Sequence, residues 1–144
     1  MVLTKENING VIKELANEYR VRLHFTNGTP LLNGYARYWS NSITISVNQS
    51  PISMLCTFFH ELGHVYCWEH GLWKSYHIDP YTHPTIEEKR KCIYVAVKAE
   101  RWVDRWAKKE MKKHFQKIRY IPSYSTPIEV KILKDYIKKL INYE

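Results

Sequence analysis

Within TFFHELGHVYCWEH, residues 57–70, three side chains have types and spacing that could do chemistry: His60, Glu61 and His64. On a helix, residues four apart stand one above the other, about 6 Å apart along the axis. Two histidines so placed can aim ring nitrogens at one ion, with Zn–N distances of about 2.0–2.1 Å. Glu61 projects about 100° round the helix from His60. That is a poor direction for a third ligand. It is a good one for reaching a water on the open side of such an ion, where a glutamate can act as general base.

The pattern is short, and a chain with seven histidines can contain it by chance, leaving two core histidines beside a surface glutamate. A second signal lies in KAERWVDRWAKKEM, residues 98–111. At roughly 100° per residue, Ile93, Ala96, Val103, Ala107 and Met111 fall within about 60° of Glu100, and Asp104 within about 40°. Glu100 is thus centred on an apolar face. Lys98, Arg101, Arg105, Lys108, Lys109 and Lys112 point elsewhere. A buried, unpaired carboxylate costs several kcal/mol, on the order of the penalty for any isolated buried ion, so a cation should meet it. A zinc ion held by His60 and His64 would supply that charge, with Glu100 as third ligand. Asp104 would then accept the free N–H of a ligating histidine. The alternative is a buried ion pair of these carboxylates with Arg22, Arg37 or Lys74. Glu87 and Glu88 are rival ligands, but as first-turn residues they suit capping.

Cys67 shares the face of the two histidines, yet stands about 10 Å along the axis from His60, too far to share one ion. Cys56 and Cys67 read as packing. With Cys92 they make three cysteines and no CxxC, which fits reduced thiols in a cytoplasmic setting. His70, His77, His83 and His114 lack partners at ligand spacing. His77, His83 or a nearby tyrosine could reach over the ion to steady an oxyanion.

The elements that must position these residues can be read along the 144-residue chain, which has the length of a single domain. Residues 4–18 suit an amphipathic helix capped by Thr4. YRVRLHF (19–25), YARYW (35–39) and SITISV (42–47) read as three strands of a small antiparallel sheet, with 42–47 at its edge. Ser50-Pro51 opens the buried HExxH helix, which runs to Trp68 before Gly71. Residues 72–84 are irregular. Thr85 with Glu88 forms a capping-box pattern that opens a second long helix to about Phe115. Thr126-Pro127 opens a short last helix carrying Ile128, Ile132, Leu133, Tyr136, Ile137 and Leu140. The expected architecture is one α+β unit over 1–144. A helix and sheet occupy 1–50, the zinc-binding helices 51–116, and a C-terminal segment and helix 117–144.

The net charge is +8, and it is uneven. Residues 1–85 carry as many acids as bases, so the excess lies beyond them. Arg101, Arg105, Lys108, Lys109 and Lys112 are candidate anion contacts, and weak nucleic-acid binding there is compatible with the charge. A solvated surface is the simpler reading. No stretch of 18 apolar residues exists, so no membrane span is expected, and MVLTKENING lacks the apolar core of a signal peptide.

HELGH followed by E-x-x-x-D-x-W-A (Glu100, Asp104, Trp106, Ala107) resembles the gluzincin metallopeptidases. With GYARYWSNSITISVN upstream, residues 34–107 resemble the ImmA/IrrE-like metallopeptidases of bacteria and mobile elements. The resemblance implies a zincin-like fold and one zinc per chain. It also implies cleavage of a regulatory protein in the host cytoplasm by a phage or mobile-element enzyme. His60, His64 and Glu100 would be ligands, Glu61 the base and Asp104 a support. A strand would pair with an extended substrate. A rival reading is an inactive metallopeptidase fold that serves as a basic interaction module around structural zinc.

Overall fold

The computed structural model describes residues 2–27, 33–72 and 85–122, and four further helical residues, Lys131, Lys134, Asp135 and Lys138. Helix α1 spans Ile8–Tyr19, strand β1 Arg22–Thr26, strand β2 Gly34–Arg37 and strand β3 Ser42–Ser46. A 3-10 turn covers Tyr38–Ser40; helices α2, Pro51–Glu69, and α3, Ile86–His114, follow. The fold is α+β. Among the described residues, no helix is long and apolar enough to cross a membrane.

Helix α1 starts later than the amphipathic pattern suggests. Thr4 and Asn7 close a turn on each other: Thr4 N donates to Asn7 Oδ1 at 2.7 Å, and Asn7 N to Thr4 Oγ1 at 3.2 Å. The helix begins after that turn. At its other end, Arg20 adopts φ 59°, and the chain reverses into β1, which is why the strand begins at Arg22 rather than at Tyr19.

The sheet is mixed, not antiparallel, and its order is β1-β3-β2. β3 pairs parallel with β1 (Leu23 beside Ile43) and antiparallel with β2 (Ala36 beside Ile43). β1 ends beside Ser46 and β2 starts beside Ile45, so the two flank β3, which lies at the centre of the sheet and not at the expected edge. Its Ile43 and Ile45 are fully buried, and its three hydroxyl residues are covered as well.

Helix α2 is the centre of the molecule. Ser50 caps it by accepting from Ser53 N, and Pro51 occupies its first position. Gly71, at φ 64°, closes its other end, where Leu72 N donates to Cys67 O. It packs against α3, β2, β3 and α1, and Met54 through Val65 are all buried. Helix α3 lies close to it. A methyl group added at Gly63 would come 2.8 Å from Val103 Cγ1 and 3.2 Å from Trp106 Cε3, so glycine is what lets the helices approach. Ala96, Ala99 and Ala107 keep the facing stripe of α3 small. Thr85 caps α3 by accepting from Glu88 N.

Candidate metal centre

The contact between α2 and α3 brings His60, His64 and Glu100 together. His60 Nε2 lies 3.0 Å from Glu100 Oε2, His64 Nε2 3.2 Å from Glu100 Oε1, and the two Nε2 atoms 3.2 Å apart. A tetrahedral centre with bonds of about 2.0–2.1 Å has ligand-to-ligand edges of about 3.3–3.4 Å. The three donors therefore stand at nearly that spacing already, and they form a group that could hold a metal ion. Their relative exposures are 1%, 5% and 4%, so they are shielded from bulk water.

The electrostatics follow from this burial. Burial alone would raise the Glu100 carboxyl pKa, yet the two imidazoles hold it far below the usual carboxylate range. Burial works against charged rings, but Asp104 and Glu100 hold His60 well above the ordinary histidine value, and Glu100 raises His64. Without an ion, the cluster is a set of His–Glu ion pairs. A metal ion would take the place of the protons.

Asp104 lies one turn beyond Glu100, with its Oδ1 2.8 Å from His60 Nδ1. This fixes the ring so that Nε2 faces the other donors. Tyr120 donates to the same carboxylate oxygen at 2.6 Å and lies 3.4 Å from His60 Nδ1. Sequence reasoning missed Tyr120, which follows α3 in a segment with no periodicity. A contact that residue spacing does not encode holds that segment: Ile121 N donates to Cys56 Sγ at 3.3 Å.

Glu61 is 5% exposed, beside the cluster, and makes no hydrogen bond to any described residue. Burial pushes its carboxyl pKa up, against the pull of His60 and His64. A carboxylate destabilised by desolvation is a better proton acceptor than one in water.

The other candidates separate clearly. Arg22 and Arg37 lie on the sheet and do not pair with Glu100 or Asp104; Lys74 lies outside the described residues. Glu87 and Glu88 occupy the first turn of α3, outside the cluster. Cys67 is buried near Glu100, which together with burial pushes its thiol up to about 12, but it is not among the converging donors. His70 stacks on Tyr66, and His114 meets Tyr19. His77 and His83 lie outside the described residues. Arg101, Arg105, Lys108, Lys109 and Lys112 are all exposed on α3.

No protein-family model, curated protein or solved structure matches the chain.

Proposed function

We propose that the protein is a zinc-dependent endopeptidase with a zincin-like fold, akin to the ImmA/IrrE-like metallopeptidases that its HELGH and ExxxD motifs resemble. The observation that carries this reading is the convergence of two imidazoles and one carboxylate from two helices, with a buried carboxylate beside them that has no hydrogen-bond partner among the described residues. Two nitrogen donors and one oxygen donor suit zinc, and three protein ligands leave a position open for chemistry.

His60, His64 and Glu100 would hold the ion. When bound, zinc supplies a Lewis acid that polarises a scissile carbonyl and makes an adjacent water more acidic. Glu61 takes the proton from that water on its carboxylate and delivers it to the leaving amine. Asp104 and Tyr120 keep the His60 ring from rotating. β2, an edge strand among the described residues and packed along α2, offers its outer backbone to an extended protein segment, the role first expected of 42–47. The family resemblance points to a regulatory protein as substrate.

Glu61→Gln tests the reading, because glutamine keeps the shape and cannot take the proton. Zinc-loaded wild type should cleave members of a diverse fluorogenic peptide library. The variant should lose about 10²–10⁴-fold in rate, the usual worth of a general base, while keeping its zinc. Equal turnover by the variant would remove Glu61 from the chemistry. Zinc retention with no cleavage by the wild type would favour a structural metal.

A further inference from the structure

The sheet has a second face, turned away from α2, and nothing in the proposed peptidase chemistry uses it. Ile43 and Ile45 point from β3 into the core, so Ser42 and Thr44 point the other way. The strand register then sets two rows across this face. One row runs Arg22, Ser42, Arg37; the next runs His24, Thr44, Tyr35. These six residues line a trough of about 440 Å³, within the roughly 300–1,000 Å³ of small-molecule sites. The described lining contains no carboxylate.

We propose that this trough binds single-stranded nucleic acid, with a backbone phosphate between Arg22 and Arg37 and a base against Tyr35. Strands lie about 4.8 Å apart, so arginines two strands apart start about 10 Å from each other. Their long side chains can close over Ser42, whose hydroxyl lies between them. Both arginines are exposed, and neither forms an ion pair with a described residue. Two unneutralised guanidiniums beside buried hydroxyls match a phosphate group. Tyr35 is 39% exposed, with the Arg37 guanidinium 5.9 Å from its ring centre, so an aromatic face and a cation are offered together. Bases stack on such rings without regard to sequence.

The choice of a polymer over a free nucleotide rests on shape and charge. β1 and β2 are both edge strands, so a chain can enter across one and leave across the other. The net charge of +8, carried by the residues beyond 85, draws a polyanion to the molecule from a distance, and the trough arginines then hold it locally. Because the trough lies across the sheet from the metal centre, the proposal does not rest on the peptidase reading, although both place a ligand at β2.

The test is fluorescence anisotropy with a labelled 12-nucleotide oligo(U), a 12-base-pair RNA duplex and uridine monophosphate as competitor. Each is measured at about 50 and 200 mM salt, the range over which phosphate contacts weaken most visibly. Wild type should bind the single strand more tightly than the duplex, and the monophosphate should compete weakly. Arg22→Gln with Arg37→Gln should weaken binding at least tenfold and lower the salt slope by about 0.7, the worth of the one phosphate they hold together. Tyr35→Ala should weaken it by about 5–100-fold, the worth of one stacked base. All these positions are exposed, and unchanged thermal melting would show intact folding. Charge reversal at Lys108, Lys109 and Lys112 should leave the preference for single strands in place. The proposal fails if no probe binds at 50 mM salt, if duplex or monophosphate binds as well as the single strand, or if the α3 variant abolishes binding while the arginine variant does not.

Discussion

Asp104 Oδ1 lies 2.8 Å from Nδ1 of His60, while Nε2 of the same ring lies 3.0 Å from Glu100. One turn of α3 therefore addresses both nitrogens of a single imidazole. Under the proposed metal reading, two carboxylates of similar chemistry would have two jobs: Glu100 would join the donors, and Asp104 would set the tautomer that lets His60 be one of them.

Asp104→Ala should therefore weaken metal binding by about 10–100-fold without removing a donor. Tyr120→Phe, which deletes only the hydroxyl that donates to Asp104, should weaken it less and cost about 1 kcal/mol of stability, the usual net worth of one hydrogen bond. Competition titrations with a zinc-sensitive dye would measure both. An Asp104 variant with wild-type affinity would show that the ring needs no such support.

Gly63→Ala should disturb the same centre from outside it. The added methyl meets Val103, whose branched side chain has one favoured rotamer in a helix, so α3 must move rather than Val103 alone. Val103 is three residues from Glu100, and displacement there moves the carboxylate. Overpacking of this kind costs about 1–3 kcal/mol. The expected result is a lower melting temperature together with weaker zinc binding. Lower stability with unchanged affinity would uncouple the helix contact from the site.

A pH dependence should come from the far end of α3. Tyr19 OH donates to Glu110 Oε1 at 2.8 Å, tying the end of α1 to α3. Burial raises the Glu110 pKa, but Lys113 and Tyr19 outweigh it and hold the carboxyl below its ordinary value. The folded pKa is the lower one, so this stabilisation is present above the unfolded value, about 4.3, and disappears as pH falls through the folded value. Lys113 is 67% exposed, and water screens most of its share. Glu110→Gln should cost about 1 kcal/mol at pH 7, an ordinary hydrogen-bond contribution. The gap in denaturant midpoints between wild type and variant should narrow as pH falls below the unfolded value and close as the folded carboxyl takes its proton. A gap with no pH dependence across the acid range would mean that Glu110 acts by packing alone.

The helices and the convergence of His60, His64 and Glu100 were legible because helical phase is encoded in spacing. His60 and His64 are four apart, and Glu100 stands at the centre of the Ala96–Val103–Ala107–Met111 stripe, so their convergence needed only that the two faces meet. The sheet was less legible. Alternation in SITIS shows that residues face opposite ways, but it carries no strand direction, so a parallel neighbour in β1 and an antiparallel one in β2 look alike. Residues 42–47 were expected at the edge, whereas β3 is central and its small polar side chains lie beside Arg22, His24, Tyr35 and Arg37 of the flanking strands. The start of α1 was misplaced because Thr4 bonds reciprocally with Asn7 and closes a turn ahead of the helix. Tyr120 gave no signal, since its place depends on a contact between the post-α3 segment and Cys56.

If His60, His64 and Glu100 act together as one zinc site, metal analysis of the purified protein should reveal it. Wild type, His60→Ala and Glu100→Gln would be purified without added chelator, checked for folding by circular dichroism, and measured by mass spectrometry of the elements. The wild type should carry about one zinc per chain, as for a site with three protein ligands, and each variant should lose most of it. A folded wild type that takes up no zinc when zinc is supplied, or full retention in both variants, would contradict the zinc site.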